Sequence, residues 1–129
     1  MSVRLPRALS VQIAGPAGPL EALLEEPEPL SANAFAVVCH PHPLHGGTMQ
    51  NKVVHTIARA CQVEGMPTVR FNFRGVGASA GSYDEGRGEL QDTLAAIAWV
   101  GTIRSQPKPS PRSQWKHTAR ALDLRTVVQ

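Results

Sequence analysis

The stretch Cys39–Gly47, CHPHPLHGG, sets three histidines, two prolines and a Gly-Gly pair directly after the apolar run FAVV. His40, His42 and His45 could bind a metal, and in an extended chain His40 and His42 would point the same way. No carboxylate or further ligand lies close in sequence, so no metal site is expected. The same histidines could be ordinary polar residues where a strand leaves the core. A third reading concerns the backbone. A tight turn after a strand leaves N–H groups at the strand's C-terminal edge, where open α/β sheets bind ligands and where such groups can stabilise an oxyanion. Pro41 and Pro43 have no N–H, so His42 and Leu44 are the donors that this turn offers.

A second stretch also invites a catalytic reading. Gly77-Ala78-Ser79-Ala80-Gly81 matches G-x-S-x-G, and Asp84, Asp92, His117 and Asp123 lie downstream. A nucleophile elbow places its serine immediately between a strand and a helix. Here Arg74, Gly75 and Val76 separate the motif from the strand before it, and SYDEGRG separates it from the helix after it. Ser79 is therefore expected to be a loop residue, with a Ser79/His117 hydrolase as the alternative. The glycines also run G-x-G-x-x-x-G with no helix opening on them, which disfavours a dinucleotide site. No cofactor is expected.

The elements that must carry these stretches follow from periodicity. Residues 8–14 alternate as a half-buried strand does. Turn clusters at 15–19 and at Pro27 and Pro29 make PLEALLEE the second arm of an antiparallel hairpin. Residues 35–39, FAVVC, read as a strand covered on both faces. Residues 49–63 read as an amphipathic helix with Val53, Val54, Ile57, Ala58 and Cys61 on one stripe, Thr48 as N-cap, and Gly65 and Pro67 as the stop. TVRFNF (68–73) is the next strand, a glycine-rich loop follows, and residues 89–100 form a second helix with Leu90, Leu94, Ile97 and Ala98 facing one way. Strand–helix–strand with a helix following is a parallel α/β unit.

Charge and composition divide the chain near residue 101. Residues 1–100 carry seven Lys/Arg against nine Asp/Glu, whereas 101–129 carry six against one, within a total formal charge of +3. Prolines 107, 109 and 111 interrupt any periodicity in that second part, which is expected to be a basic tail outside the fold of 1–100. A basic tail invites nucleic acid, but only Trp115 interleaves an aromatic, so no nucleic-acid partner is expected. No run reaches the roughly 18 apolar residues of a membrane helix, and Gln12, Gly15 and Pro16 interrupt any leader-like segment. No membrane partner is expected, and the location expected is cytoplasmic. Cys39 and Cys61 are not at a metal spacing and read as small hydrophobes.

HPHPLHGGTMQNKVV, followed after the helix by VRFNFRGVGASAGSYDEGRGE, resembles the N-terminal half of a bacterial α/β-hydrolase family. The two motifs stand in that family's order and spacing, and the likeness covers about residues 10–100. It implies a partial α/β-hydrolase fold: an N-terminal antiparallel hairpin, then strand–helix–strand–helix of a mainly parallel sheet. It also implies a serine hydrolase of small-molecule ester, thioester or amide substrates, with His42 as the main-chain oxyanion donor and His40 as a brace for the turn. Gly46, Gly47, Asn51, Arg74, Gly75 and Gly77 become structural residues at the edge of the site, with Arg74 pinning the loop and Gly75 and Gly77 at positive φ.

The chain departs from the family after the second helix, where the elbow strand should come and TIRSQPKPSPRS stands instead. Each further βα unit needs roughly 30 residues, so no nucleophile, acid and histidine are expected in this chain. The expectation is a truncated, inactive hydrolase, with a small ligand- or partner-binding module as the rival. Losing the rest of the sheet is expected to leave TVRFNF as an exposed edge through which copies self-associate. A shifted reading frame accounts for the break at residue 101. Sequencing the gene past codon 100 should then show another frame encoding a short apolar strand that ends in G-x-S-x-G. Neither alternative frame encoding one would favour a natural short form.

Overall fold

Apolar residues on one side and polar residues on the other fold 7–26 into a hairpin. In the computed structural model, which describes residues 6–28, 30, 33–105 and 127–128, β1 (Arg7–Gly15) pairs antiparallel with β2 (Gly18–Glu26) across a two-residue turn. The alternation places Ile13, Leu20, Ala22 and Leu24 in the core and turns Glu21 to the other face. The second arm is a strand, as its flanking turn residues imply.

The chain then enters β3 (Ala36–Val38), a short 3-10 turn (Pro43–His45), α1 (Lys52–Val63) and β4 (Thr68–Phe71). β4 is parallel to β3 and antiparallel to β2. Asn51 rather than Thr48 caps α1: its Oδ1 accepts from the N–H groups of Val53 and Val54 at 2.8 and 3.4 Å. Residues 49–51 form a turn before the helix, where Thr48 Oγ1 accepts only from Gln50 N–H. The helix ends as Gly65 and Pro67 suggest. Gly65, at φ 85°, donates to Gln62 O and Met66 donates to Cys61 O, which satisfies two terminal carbonyls.

Two apolar clusters lie on opposite faces of the sheet, as the period of two demands. Ala36 and Val38 pack with Val54 and Ala58 of α1, whereas Val37, Cys39, Val69, Phe71 and Phe73 pack with Ala96 and Val100 of α2 (Arg87–Ser105). Val53, placed on the buried stripe by spacing, is instead 62% exposed. The larger correction concerns α2. It buries Glu89, Asp92, Thr93, Ala96 and Val100, while Leu90 and Leu94 are 57% and 50% exposed and Ala98 is also exposed. Its inner face is polar at the N-terminal end because those side chains bond the loops beneath them.

The sheet order is β1-β2-β4-β3-β5, where β5 is Val127–Val128. The expectation that TVRFNF becomes an open edge is thereby corrected: β4 is bonded on both sides. The outer parallel strand is β3, and its free side takes β5, with Val37 and Val38 opposite Val127 and Val128. Of the tail expected outside the fold, residues 106–126 and 129 lie outside the described residues. At its two ends α2 continues to Ser105 and Val127–Val128 join the sheet.

A two-residue pairing is a slight cover for a strand edge. A chain ending at Thr126 should therefore sediment with a larger weight-average mass than the full chain at equal concentration. Identical sedimentation would show that β5 does not shield β3.

Candidate functional site

The site region forms where β3 and β4 end side by side. His40 follows β3, is fully buried, and spans both strand ends. Its Nε2 accepts from Phe73 N–H at 3.1 Å, so the ring proton sits on Nδ1 and donates to Pro41 O at 2.7 Å. The ring also meets Phe73 edge-on, with centroids 4.7 Å apart. Burial pushes the imidazole pKa down, and the bond to the Pro41 carbonyl opposes this less strongly. Both nitrogens are occupied, which fits a brace and leaves none for a metal. Among the described residues no group of three His, Cys, Asp or Glu side chains could hold one.

The turn that follows is closed by its own backbone. His42 O accepts from His45 N–H and Gly47 N–H at 3.0 and 3.2 Å. Gly46 adopts φ 77°, and a β-carbon on Gly47 would strike the Pro41 carbonyl. The two expected donors have different fates. Leu44 N–H donates to His42 Nδ1 at 3.0 Å, so it is spent, and its reading as an oxyanion donor is corrected. The His42 N–H has no acceptor among the described residues. His45 contributes a ring contact to His42, with centroids 5.1 Å apart.

The glycine-rich loop after β4 is held at both ends. Arg74 binds Asp92 through Nε and NH2, the shortest contact being 2.9 Å, and its backbone N–H donates to the same carboxylate at 3.0 Å. Asp92 is fully buried. A side chain on Gly88 would strike the Arg74 guanidinium, so the glycine there clears its path. Glu89 caps the start of α2 by accepting from Asp84 and Gly86 N–H at 2.9 Å. Burial works against its charge, yet those N–H groups, its own N–H and Arg74 outweigh that and hold its carboxyl below the usual range. Gly75 and Gly77 have φ of 78° and 54°, as expected of them.

Ser79 sits inside this loop and is buried. Its hydroxyl donates to Asn72 O at 2.6 Å and accepts from Glu21 N–H at 2.8 Å. Asn72 in turn accepts from Met49 N–H and donates to Glu21 Oε1, both at 2.8 Å, and Ala78 N–H donates to the same oxygen at 2.9 Å. The serine thus ties the loop to the hairpin and has no spare proton for a base. His117 lies outside the described residues. Glu21, Asn72 and Tyr83 were not singled out from sequence, and Asp92 was named only as an acid downstream of Ser79, not as the partner of Arg74. The spacing of 18 residues between Arg74 and Asp92 carries no local signal, although a lone Asp beside the helix's apolar positions was a visible clue.

Strand order, the turn after β3 and the bonded loop after β4 together define a partial α/β-hydrolase, with the fold of the N-terminal part of an α/β serine hydrolase. The chain is 47% identical to an α/β serine hydrolase homologue from Coxiella burnetii, covering 82% of this chain and 50% of that one with a TM-score of 0.71. It is 43% identical to a member of the α/β serine hydrolases without lid from Xanthomonas campestris, covering 79% and 48% with a TM-score of 0.71. An uncharacterized protein of Rickettsia prowazekii (strain Madrid E) is 44% identical over 87 residues, or 67% of this chain and 36% of that protein. The chain thus spans about half the length of the two hydrolase structures. No family model matches the chain. Among the described residues no helix is long and apolar enough to cross a membrane.

Two substitutions test the braces. His40→Ala leaves a cavity and unpairs Phe73 N–H, at a cost of about 3 kcal/mol. His40 is neutral when folded but protonates below about pH 6.5 when unfolded. Its contribution is therefore whole above that pH and is lost as pH falls toward the lowered folded value. Urea titrations at pH 7.5 and 5 should show a smaller acid loss in His40→Ala than in the native chain. Asp92→Ala should cost about 3–5 kcal/mol by stranding Arg74. Glu85→Ala, in the exposed Glu85–Arg87 pair, should stay within about 0.5 kcal/mol.

Proposed function

We propose that this chain carries the oxyanion side of a serine hydrolase acting on a small ester, thioester or amide, and carries no attacking serine of its own. The observation behind this reading is the unspent His42 N–H on a turn whose other N–H groups at 44–47 are bonded inward. In the family it resembles, the nucleophile strand follows the helix corresponding to α2. That strand would lie parallel to β3 on the side where, among the described residues, only Val127–Val128 pair. A tetrahedral intermediate formed there would place its oxygen against the turn, where one N–H is worth several kcal/mol of barrier. Ser79 is a structural serine in this reading, and the chain alone is catalytically inert. The two free thiols, Cys39 and Cys61, suit a reducing compartment, and we infer a cytoplasmic location.

The test joins residues 1–105 of this chain to the remainder of the Xanthomonas hydrolase and measures ester hydrolysis. His42→Pro removes the donor, and its backbone at φ −49° is within reach of a proline ring. It should lower kcat about 10²–10³-fold, whereas His42→Ala, which keeps the N–H, should lose less. Equal losses in the two variants would remove His42 N–H from the mechanism. The chain by itself should take up no fluorophosphonate, and an adduct on Ser79 by mass spectrometry would contradict its structural role.

A further inference from the structure

The loop after β4 does more than connect. Tyr83, within the SYDEG stretch, reaches back to the turn after β3 and places its hydroxyl 2.9 Å from His42 Nε2, with ring centroids 5.1 Å apart. The protonation of His42 follows from its other nitrogen. Nδ1 accepts from Leu44 N–H, so it must present a lone pair, and the neutral ring then carries its proton on Nε2. That proton donates to the Tyr83 oxygen. The phenol oxygen is an acceptor of fixed position, because Asp84 N–H and Gly86 N–H anchor the chain beside it to Glu89 at the start of α2.

We propose that Tyr83 is a positioning residue for the oxyanion turn. By bonding Nε2 it holds the His42 ring in the orientation that aims Nδ1 at the Leu44 N–H. In that orientation the Leu44 N–H, which can only donate, sets the Nε2–H tautomer, since a phenol serves either one. With Leu44 N–H committed, the turn presents the His42 N–H as its single open donor of the two that the prolines leave. The opposite tautomer would set Nδ1–H against Leu44 N–H, donor against donor, and the turn would have to open. The inference rests on the proposed role of this turn, but the hold of Tyr83 on the His42 ring is a property of the chain and is testable without any reaction.

Long-range proton–nitrogen spectra of the uniformly ¹⁵N-labelled full chain at pH 8 should show His42 protonated on Nε2. Tyr83→Phe should turn that signature into a mixture of tautomers and raise Leu44 amide exchange at least tenfold. Phe73 and Met49 amides should keep their protection, which shows that the fold survives. His42→Phe should raise Leu44 exchange to the same extent, since it removes the acceptor directly. A native His42 protonated on Nδ1, or a Tyr83→Phe chain with unchanged tautomer and unchanged Leu44 exchange, would overturn the proposal. The His42→Pro chimera bears on the hydrolase reading alone, so either can fail while the other stands.

Discussion

The hydrogen bond from Phe73 N–H to His40 Nε2 is the interaction on which the site region depends. A parallel strand pair ends with backbone groups that have no further ladder partner, and burying them unpaired costs about 1–3 kcal/mol each. Here the Asn72 N–H goes to Glu21 O of β2, and a side chain from the end of β3 takes the second N–H beyond β4, that of Phe73. The next N–H, at Arg74, goes to Asp92 of α2, and the Asn72 carbonyl goes to Ser79. Each residue of Asn72–Arg74 is thus fastened to a different element. Turn, loop, hairpin and helix meet at three consecutive residues, and the position of the turn after β3 follows from that meeting.

The cost of this arrangement is visible in α2. A helix packed on a sheet would gain most by burying leucines, each worth roughly 1.5–3 kcal/mol. α2 instead buries Glu89, Asp92 and Thr93 at its N-terminal end and leaves Leu90 and Leu94 outside. Thr93 Oγ1 also bonds Glu89 O and contacts Cys39 Sγ at 3.6 Å, so this polar face joins the end of β3 as well. A similar trade occurs on the other face of the sheet. There the Arg70–Glu25 pair is buried and shares Glu25 with Gln62, while Arg70 NH1 donates to Met49 O just before α1. Both networks hold the ends of loops, where apolar contacts have no directional preference and hydrogen bonds do.

Much of the fold was legible in the sequence because it rests on local rules. The hairpin arms follow from alternation between turn clusters, β3 from a continuous apolar run, and the end of α1 from Gly65 and Pro67. The positive φ at Gly75 and Gly77 and the loop placement of Ser79 were readable for the same reason. What was not legible depends on contacts far apart in the chain. Strand order is one case, since nothing local in TVRFNF says that β2 and β3 flank it. The buried side of α2 is another, because Asp92 turns inward only for Arg74, which no periodicity scale can register. Leu44 N–H was lost to a side chain two residues away, a geometry that spacing permits but does not require. Asn51, two residues before Val53, is a stronger N-cap candidate than Thr48, yet both precede the apolar stripe and only the helix start separates them.

Native-state hydrogen exchange tests the central claim most directly, because it reads the junction bond by bond. The amides of Glu21, Met49, Phe73 and Arg74 all donate to side chains rather than to a ladder. If the junction is one cooperative unit, these four should exchange at a common slow rate, close to that of the β4 amides at Val69 and Phe71. Exchange of Phe73 and Arg74 at rates typical of an open loop, while β4 stays protected, would contradict the account.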